Sequence, residues 1–376
     1  MRVAIAISQT PPIISGVARI AARMESGLRE RGCGVDVFSA SQLPRVFWGE
    51  YRFVNVLPLF QEILEQQHYD VIDVFGPVPT FSDVLLLLLT ANRRRLRGAR
   101  VVYSHVWDVE ISRMTAPLTW AYNSWTRQIA RLADYVLVSS QSHFDDLVRY
   151  VPADRVRIIP WGVDECFICP AVPEKADEYT ILFVGQLRPY KGVDVLLRAF
   201  AHLEGCRLVV VGDGHCREKY TQLAEKLSLQ NAVFAGQVSD QELKNLYAIS
   251  HVIVLPSASR LEAFGIVLLE GMGAGCVPVA SDLPGVRDTV ADAGLTFPVG
   301  DVASLARTLD MLKRDHFLLS RLSRKAWHRA QTYSWDATCQ GYLSAFTDVC
   351  QRRRLELQVQ DVPLSFLTEL RFPNPL

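Results

Sequence analysis

The sequence predicts an α/β protein built from two Rossmann-like units that face each other across a cleft. Short β-branched runs alternate with helical stretches along the chain, which is the pattern of parallel sheets covered by helices on both faces. The pattern restarts at Tyr179-Thr180-Ile181-Leu182-Phe183-Val184-Gly185, after a stretch from Cys169 to Lys175 that combines proline and charge without apolar periodicity. A chain of 376 residues is also too long for one ordinary core, and suits two domains of roughly 150–200 residues.

In the first unit, strands are predicted over 2–7, 34–38, 70–74, 100–105, 135–139 and 156–159, with helices over 16–31, 58–67, 80–96, 117–132 and 141–150. In the second, strands are predicted at 179–185, 207–211, 233–234, 252–255 and 277–280. The joint falls near 165–178. The expected boundaries are 1–168, completed by a C-terminal helix near 336–350, then 169–335, then a tail of unassigned role over 351–376.

Composition narrows the function. Lys plus Arg (40) equal Asp plus Glu (40), so the basic surplus that nucleic acid demands is missing. The eight cysteines are scattered, and the close pair Cys166-x-x-Cys169 lacks the second pair of a zinc site; reduced, incidental thiols are expected. A strand begins at Arg2, which leaves no room for a signal peptide, so the expected compartment is the cytoplasm. The apolar run Val84 to Leu89 is far short of the ~20 residues a spanning helix needs and reads as a buried helix. Arg93-Arg94-Arg95-Leu96-Arg97 reads first as a solvated, positively charged helix end. Its alternative is docking on anionic lipid, a peripheral contact at the inner membrane face. Trp120, Tyr122 and Trp125 lie on a helix with Leu118, Ile129 and Leu132, and core packing is expected for most of them.

Ligands of open parallel sheets bind outside the carboxyl ends of the strands, and that rule selects residues. Ser8 to Gly16, His105, Gly185 to Lys191, Gly212-Asp213-Gly214 and the segment after Leu255 all lie at predicted strand ends. Glu262 and Glu270 stand eight positions apart across what reads as the first turns of a buried helix. At about 1.5 Å rise per residue they would be roughly 12 Å apart, too far to share one small group. They suit two parts of one long ligand, with the N–H groups of Phe264 and Gly265 between them. The competing reading makes Glu262 a charge favourable to the helix dipole and Glu270 an ion-paired core residue.

Lys191 and Arg188 flank a proline just before a helix. They fit an anionic ligand, Lys191 as a point charge and Arg188 as a fork donor, or else a solvated turn. Gly16 opens a helix where backbone N–H groups can approach a phosphate, although a plain βα loop looks the same. His105 ends a strand, as a ligand contact or a structural histidine. Gly212-Asp213-Gly214 is a weak dinucleotide fingerprint because Arg217 holds the place of the third glycine. No Asp-x-Asp, His-Glu-x-x-His, Gly-x-Ser-x-Gly or P-loop motif occurs. No metal site is expected, and cations such as Lys191 would take a metal's place.

Together these segments resemble the retaining glycosyltransferases of family four, which have the GT-B fold. Glu262 to Glu270 matches the family's E-x7-E motif and Gly185 to Gly192 its G-x-L-x-x-x-K-G loop. Leu255-Pro256-Ser257 and Pro278-Val279-Ala280-Ser281-Asp282 match its flanking segments. The resemblance implies an acceptor domain over 1–168 and a donor domain over 169–335. It implies that Glu270 holds the donor ribose and Glu262 contacts the transferred sugar, assisted by the N–H groups of Phe264 and Gly265. Lys191 would bind the diphosphate, Gly16 would lie against the donor, and His105 would contact the sugar near the acceptor. The implied reaction moves a hexosyl unit from a UDP- or GDP-sugar to a glycan, lipid or small-molecule acceptor, with retention and without cofactor or essential metal. Gln186 stands where relatives often carry Arg, so one diphosphate cation is missing unless Arg188 supplies it. The early loop has Ser15-Gly16 where many relatives have two glycines. A nucleotide-sugar epimerase or phosphorylase, or a binding or regulatory subunit on the same fold, are the alternatives.

Overall fold

A computed structural model describes residues 1–13, 15–48, 51–66, 68–106, 108–109 and 116–360. Of the predicted tail, 361–376 lie outside the described residues, as do Ile14 and Trp107.

The first unit is a six-stranded sheet of parallel strands. It is formed by β1 (Arg2–Ile7), β2 (Gly34–Ser39), β5 (Val71–Gly76), β6 (Arg100–His105), β7 (Tyr135–Val138) and β8 (Val156–Ile158), in the order β2-β1-β5-β6-β7-β8. A short antiparallel hairpin, β3 (Arg45–Trp48) and β4 (Tyr51–Val54), is inserted before β5. Helices α1 (Gly16–Glu30), α2 (Leu57–Gln66), α3 (Ser82–Ala91), α4 (Ala116–Ala130) and α5 (Gln141–Leu147) connect the strands. Central strands covered on both faces must be apolar throughout, and all six residues of β5 are buried. Its one carboxyl, Asp73, takes the Ser104 hydroxyl at 2.9 and 3.0 Å, and burial pushes it up to about 8.

The second unit repeats the plan. Its strands are β9 (Tyr179–Val184), β10 (Cys206–Val211), β11 (Ala232–Gly236), β12 (Val252–Leu255), β13 (Val277–Ser281) and β14 (Leu295–Phe297), ordered β11-β10-β9-β12-β13-β14. Around it lie α6 (Val193–Phe200), α7 (Arg217–Lys226), α8 (Asp240–Ile249), α9 (Ile266–Gly273), α10 (Val286–Val290), α11 (Val302–Arg314) and α12 (His316–Ala330). The last helix, α13 (Trp335–Gln360), returns to the first unit. Its Cys339, Tyr342, Phe346 and Val349 join the core formed by Val3, Ile5, Met24 and Leu28, and Tyr342 stacks on Trp161 and Phe75.

Strand order locates the ligand edge. In the second sheet it reverses between β9 and β12, so the loops that follow these two strands diverge and leave a crevice. Those loops carry Lys191 and Glu262. In the first sheet it reverses beside β1, whose loop leads to Gly16.

Several expectations need correction. Glu262 is not helical: α9 starts at Ile266 behind Gly265, so Glu262 lies in the preceding loop and the rise of a helix does not set its distance from Glu270. Gly265 has φ 77°, a left-handed conformation in which a Cβ would press on Leu255 and Leu268, so the helix cannot extend back through it. The helix predicted over 80–96 ends at Ala91. Arg93–Leu96 form a 3₁₀ turn that closes with Arg97 at φ 48°, so these arginines sit on a separate turn and not on a helix end. Trp120 and Trp125 are exposed and do not pack in the core. The hairpin and β14 have short strands with weak alternation, and the sequence reading gave them no element.

Candidate active site

A cavity of about 730 Å³ opens between the carboxyl edges of the two sheets. Gly16, Arg188, Lys191, Glu262, Phe264, Gly265 and Glu270 all line it, together with Arg19 from α1. His105 is outside the lining, buried behind Val106.

The two switch-point loops are held close. Gly192 has φ 66°, and a Cβ there would overlap the carbonyl oxygen of Pro256. Only glycine permits that approach, and it sets Lys191 beside the Glu262 loop. Lys191 Nζ donates to Glu262 Oε2 at 2.5 Å, and the Ser257 hydroxyl donates to the same oxygen at 3.1 Å. Burial disfavours the ammonium, but the charge of Glu262, with that of the Tyr190 phenolate and the hydrogen bond to Glu262, outweighs it, so the proton on Lys191 is held more tightly than usual. The cation also stands 5.4 Å from the centre of the Tyr190 ring. Arg188 is exposed at the same rim and makes no side-chain ion pair among the described residues.

Glu270 faces the cavity from α9 and is 2% exposed. One oxygen takes the guanidinium of Arg19, which reaches across from the first unit. The other takes the Tyr247 hydroxyl of α8 at 2.8 Å. Burial pushes the Glu270 carboxyl up, against the pull of Arg19 and Tyr247. Arg19 is held charged by Glu270, Asp164 and Asp240 despite its own partial burial. Between the two carboxylates the N-terminus of α9 presents Ile266 and Val267 to the cavity, and the pole of a helix dipole there favours an anion. Opposite it, Ser15 caps α1 by accepting from the Ala18 N–H at 3.1 Å, and Gly16 borders open space.

His105 belongs to a second polar cluster that joins the units. Its Nε2 is 3.8 Å from Asp108, its Nδ1 is buried without a hydrogen-bond partner among the described residues, and His143 lies edge-on to its ring. Arg127 grips Asp108 with bonds of 2.6 and 2.7 Å. Arg260, two residues before Glu262, reaches from the second unit to Asp108 at 2.7 Å and to Asp146. Burial lowers His105 to about 3, more strongly than Asp108 can raise it. The imidazole is therefore neutral at physiological pH. A further bridge runs from the Ser142 N–H to Asp288 at 2.7 Å.

Arg19, Tyr247, Ser257 and Arg260 escaped the sequence reading. Arg19 had a usable signal: it follows Gly16 by three positions, so its side chain leaves the helix on the same face as the ligand loop. Tyr247 reads as an ordinary apolar core position, and only its hydroxyl gives it a role. Among the described residues, no group of three or more His, Cys, Asp or Glu is arranged to hold a metal ion.

The chain matches a family model described as "Glycosyltransferase Family 4" over residues 14–166 and one described as "Glycosyl transferases group 1" over residues 168–329. It is 32% identical to a D-inositol 3-phosphate glycosyltransferase of Streptomyces bingchenggensis, over 56% of this chain and 51% of that one. The chain thus spans about half the length of that relative. It is 24% identical to the O-antigen chain mannosyltransferase C of Escherichia coli, over 91% of this chain and 97% of that one. Among solved structures, Anabaena Alr3699/HepE in complex with UDP and glucose superposes with a TM-score of 0.71 at 18% identity, covering 93% of this chain and all of the other. Two family models meeting end to end, over two six-stranded parallel sheets that open on one cleft, show that the chain belongs to the family-four, group 1 glycosyltransferases and has the GT-B fold.

Proposed function

We propose that the protein is a retaining, metal-independent hexosyltransferase that takes its sugar from a UDP- or GDP-sugar. The observation that carries this reading is the pairing of Lys191 with Glu262 at one end of a cavity whose other end is the buried carboxyl of Glu270. A nucleotide sugar has matching parts: hydroxyls at each end and a diphosphate between. In this reading the second unit is the donor domain. The first unit, completed by α13, is the acceptor domain, and its acceptor is a glycan, a lipid or a small molecule.

Glu270 takes the ribose hydroxyls and Glu262 those of the sugar, with the N–H groups of Phe264 and Gly265 beside it. The three protons of the Lys191 ammonium allow it to keep Glu262 and still donate to a diphosphate oxygen. Arg188, at the rim, supplies the second cation that Gln186 does not. As the bond between the anomeric carbon and the diphosphate oxygen breaks, negative charge grows on that oxygen, and Lys191 and Arg188 stabilise it. The acceptor hydroxyl attacks from the same face, and its proton passes to the departing phosphate. Configuration is retained, and no side chain has to serve as a nucleophile. His105, buried outside the cavity lining, makes no contact with the sugar in this reading and serves instead in the cluster that joins the units.

The test is nucleotide release from a panel of UDP- and GDP-sugars, with and without sugar, lipid and small polyol acceptors, followed by the anomeric configuration of the product. Acceptor-dependent release with retention is expected. Binding of every donor without turnover, or an inverted product, would sink the reading.

A further inference from the structure

The exposed side of α4 runs against the rule that apolar residues turn inward. Trp120 is 72% exposed and Leu118 66%, at the two edges of an exposed arc, while Asn123, Thr126, Ile129 and Ala130 share the remaining, inward arc and are buried. Leu118, Ala121 and Trp125 follow one another at spacings of three and four residues and so share a face. Leu132, just past the helix end, continues it seven residues on, and all four are exposed. A helix that presents its apolar stripe to solvent next to exposed tryptophan is built to be covered.

The charge around it says by what. Arg93 donates to the Leu132 carbonyl and pairs with Asp134 at 2.7 Å, which fixes the 3₁₀ turn against the end of α4. That turn leaves Arg94, Arg95 and Arg97 exposed, without an ion-pair partner among the described residues. Neither Asp nor Glu occurs from Val84 to Trp107 or from Ala116 to Ala133, so nothing acidic in either segment offsets them. An exposed arc that carries Leu118, Trp120 and Trp125, beside exposed arginines whose neighbour Asp134 is already paired with Arg93, matches a surface that is apolar inside and anionic outside. We propose that this face, α4 with the Arg93–Leu96 turn, docks the protein on the surface of an anionic lipid bilayer.

The proposal does not depend on sugar transfer and is tested without any sugar. The full chain is sedimented with vesicles of phosphatidylcholine alone and with vesicles that also contain phosphatidylglycerol, at low and high salt. Binding is expected only to the second, and weaker at high salt. Replacing Arg94, Arg95 and Arg97 together by Glu should weaken it by roughly a hundredfold or more. Trp120→Ser with Leu118→Ser should abolish it while leaving thermal unfolding unchanged, since both side chains already face solvent. Equal binding to both vesicle types, or binding that survives the Trp120 and Leu118 change, overturns the proposal. So does a concentration-dependent dimer, seen by light scattering, that the same change dissolves, because the face would then join two copies of the chain.

Discussion

The two ends of the cavity hold the same kind of pair, a cation on a carboxylate, but build it differently. Lys191 and Glu262 both come from the second unit, on loops that flank one switch point and are pressed together at Gly192. Arg19 and Glu270 come from opposite units. The first pair is fixed by the fold of a single domain, so its geometry exists before any ligand or partner domain arrives. The second exists only while the units are closed. A cleft arranged in this way has a rigid end suited to chemistry and a conditional end suited to sensing whether a donor is in place.

The rigid end should carry the larger catalytic effects. Lys191→Ala and Glu262→Gln are each expected to lower turnover by about 100-fold or more, because each removes stabilisation or positioning beside the breaking bond. Steady-state kinetics with the chain's best donor would measure it, with circular dichroism to confirm folding. Near-normal turnover in either variant would move the chemistry away from this end.

The His105–Asp108 cluster that joins the units should respond to acid. Folded, His105 stays neutral down to about pH 3, whereas the unfolded chain protonates it below about 6.5. Unfolded chains then bind more protons, so this contribution to stability is complete above about pH 6.5 and is lost as the pH falls toward 3. Between pH 7 and pH 5 the loss from this one group should be about 2 kcal/mol. Denaturant unfolding at the two pH values, for the parent and for His105→Asn, would measure it. A slope unaffected by the substitution would mean that His105 titrates normally in the fold. His143 is also buried and lowered, so a residual slope is expected in the variant.

How much of this could be read beforehand follows from how each contact is made. The alternation of elements, the restart at Tyr179 and the strand-end rule are local or periodic, and they led to both sheets and to seven residues of the cavity wall. The interval from Glu262 to Glu270 was read as helix because Ile266 to Leu269 is apolar, yet the left-handed turn at Gly265 is a single-residue event inside that run. Trp120 and Trp125 were expected in the core because periodicity reports that a helix has an apolar stripe and not which way it turns. Arg19 with Glu270 and Arg260 with Asp108 join residues 251 and 152 positions apart, by the numbers of the partners. No spacing announces contacts of that kind.

At the conditional end the expected effects are smaller and of another kind. Arg19→Ala leaves Tyr247 as the one donor to the buried Glu270 among the described residues, which raises the carboxyl's proton affinity further and, in the proposed function, weakens it as an acceptor for ribose hydroxyls. It also removes one of the bridges between the units. The donor KM should rise by about tenfold, with kcat changed by less than about threefold, since the interaction serves binding and not the breaking bond. Small-angle scattering should show the variant more open than the parent without donor. A fall in kcat with KM unchanged would place Arg19 in the chemistry and erase the contrast between the ends.

Tyr247→Phe separates the burial of Glu270 from the crossing of the units, because Tyr247 and Glu270 belong to the same domain. The hydroxyl is the donor for one oxygen of a carboxyl that is 2% exposed, and without it that oxygen has no direct partner among the described residues. A hydrogen bond lost at a buried group costs about 1–3 kcal/mol. The lower figure is expected here, because the raised proton affinity of Glu270 lets the carboxyl neutralise instead of remaining an unpaired charge. The loss should therefore be greater at alkaline than at mildly acidic pH, which denaturant unfolding at two pH values would register. Scattering should be unchanged, in contrast to Arg19→Ala. If Tyr247→Phe opened the units as widely as Arg19→Ala does, the closure would depend on the state of Glu270 itself and not on the bridge that spans the cleft.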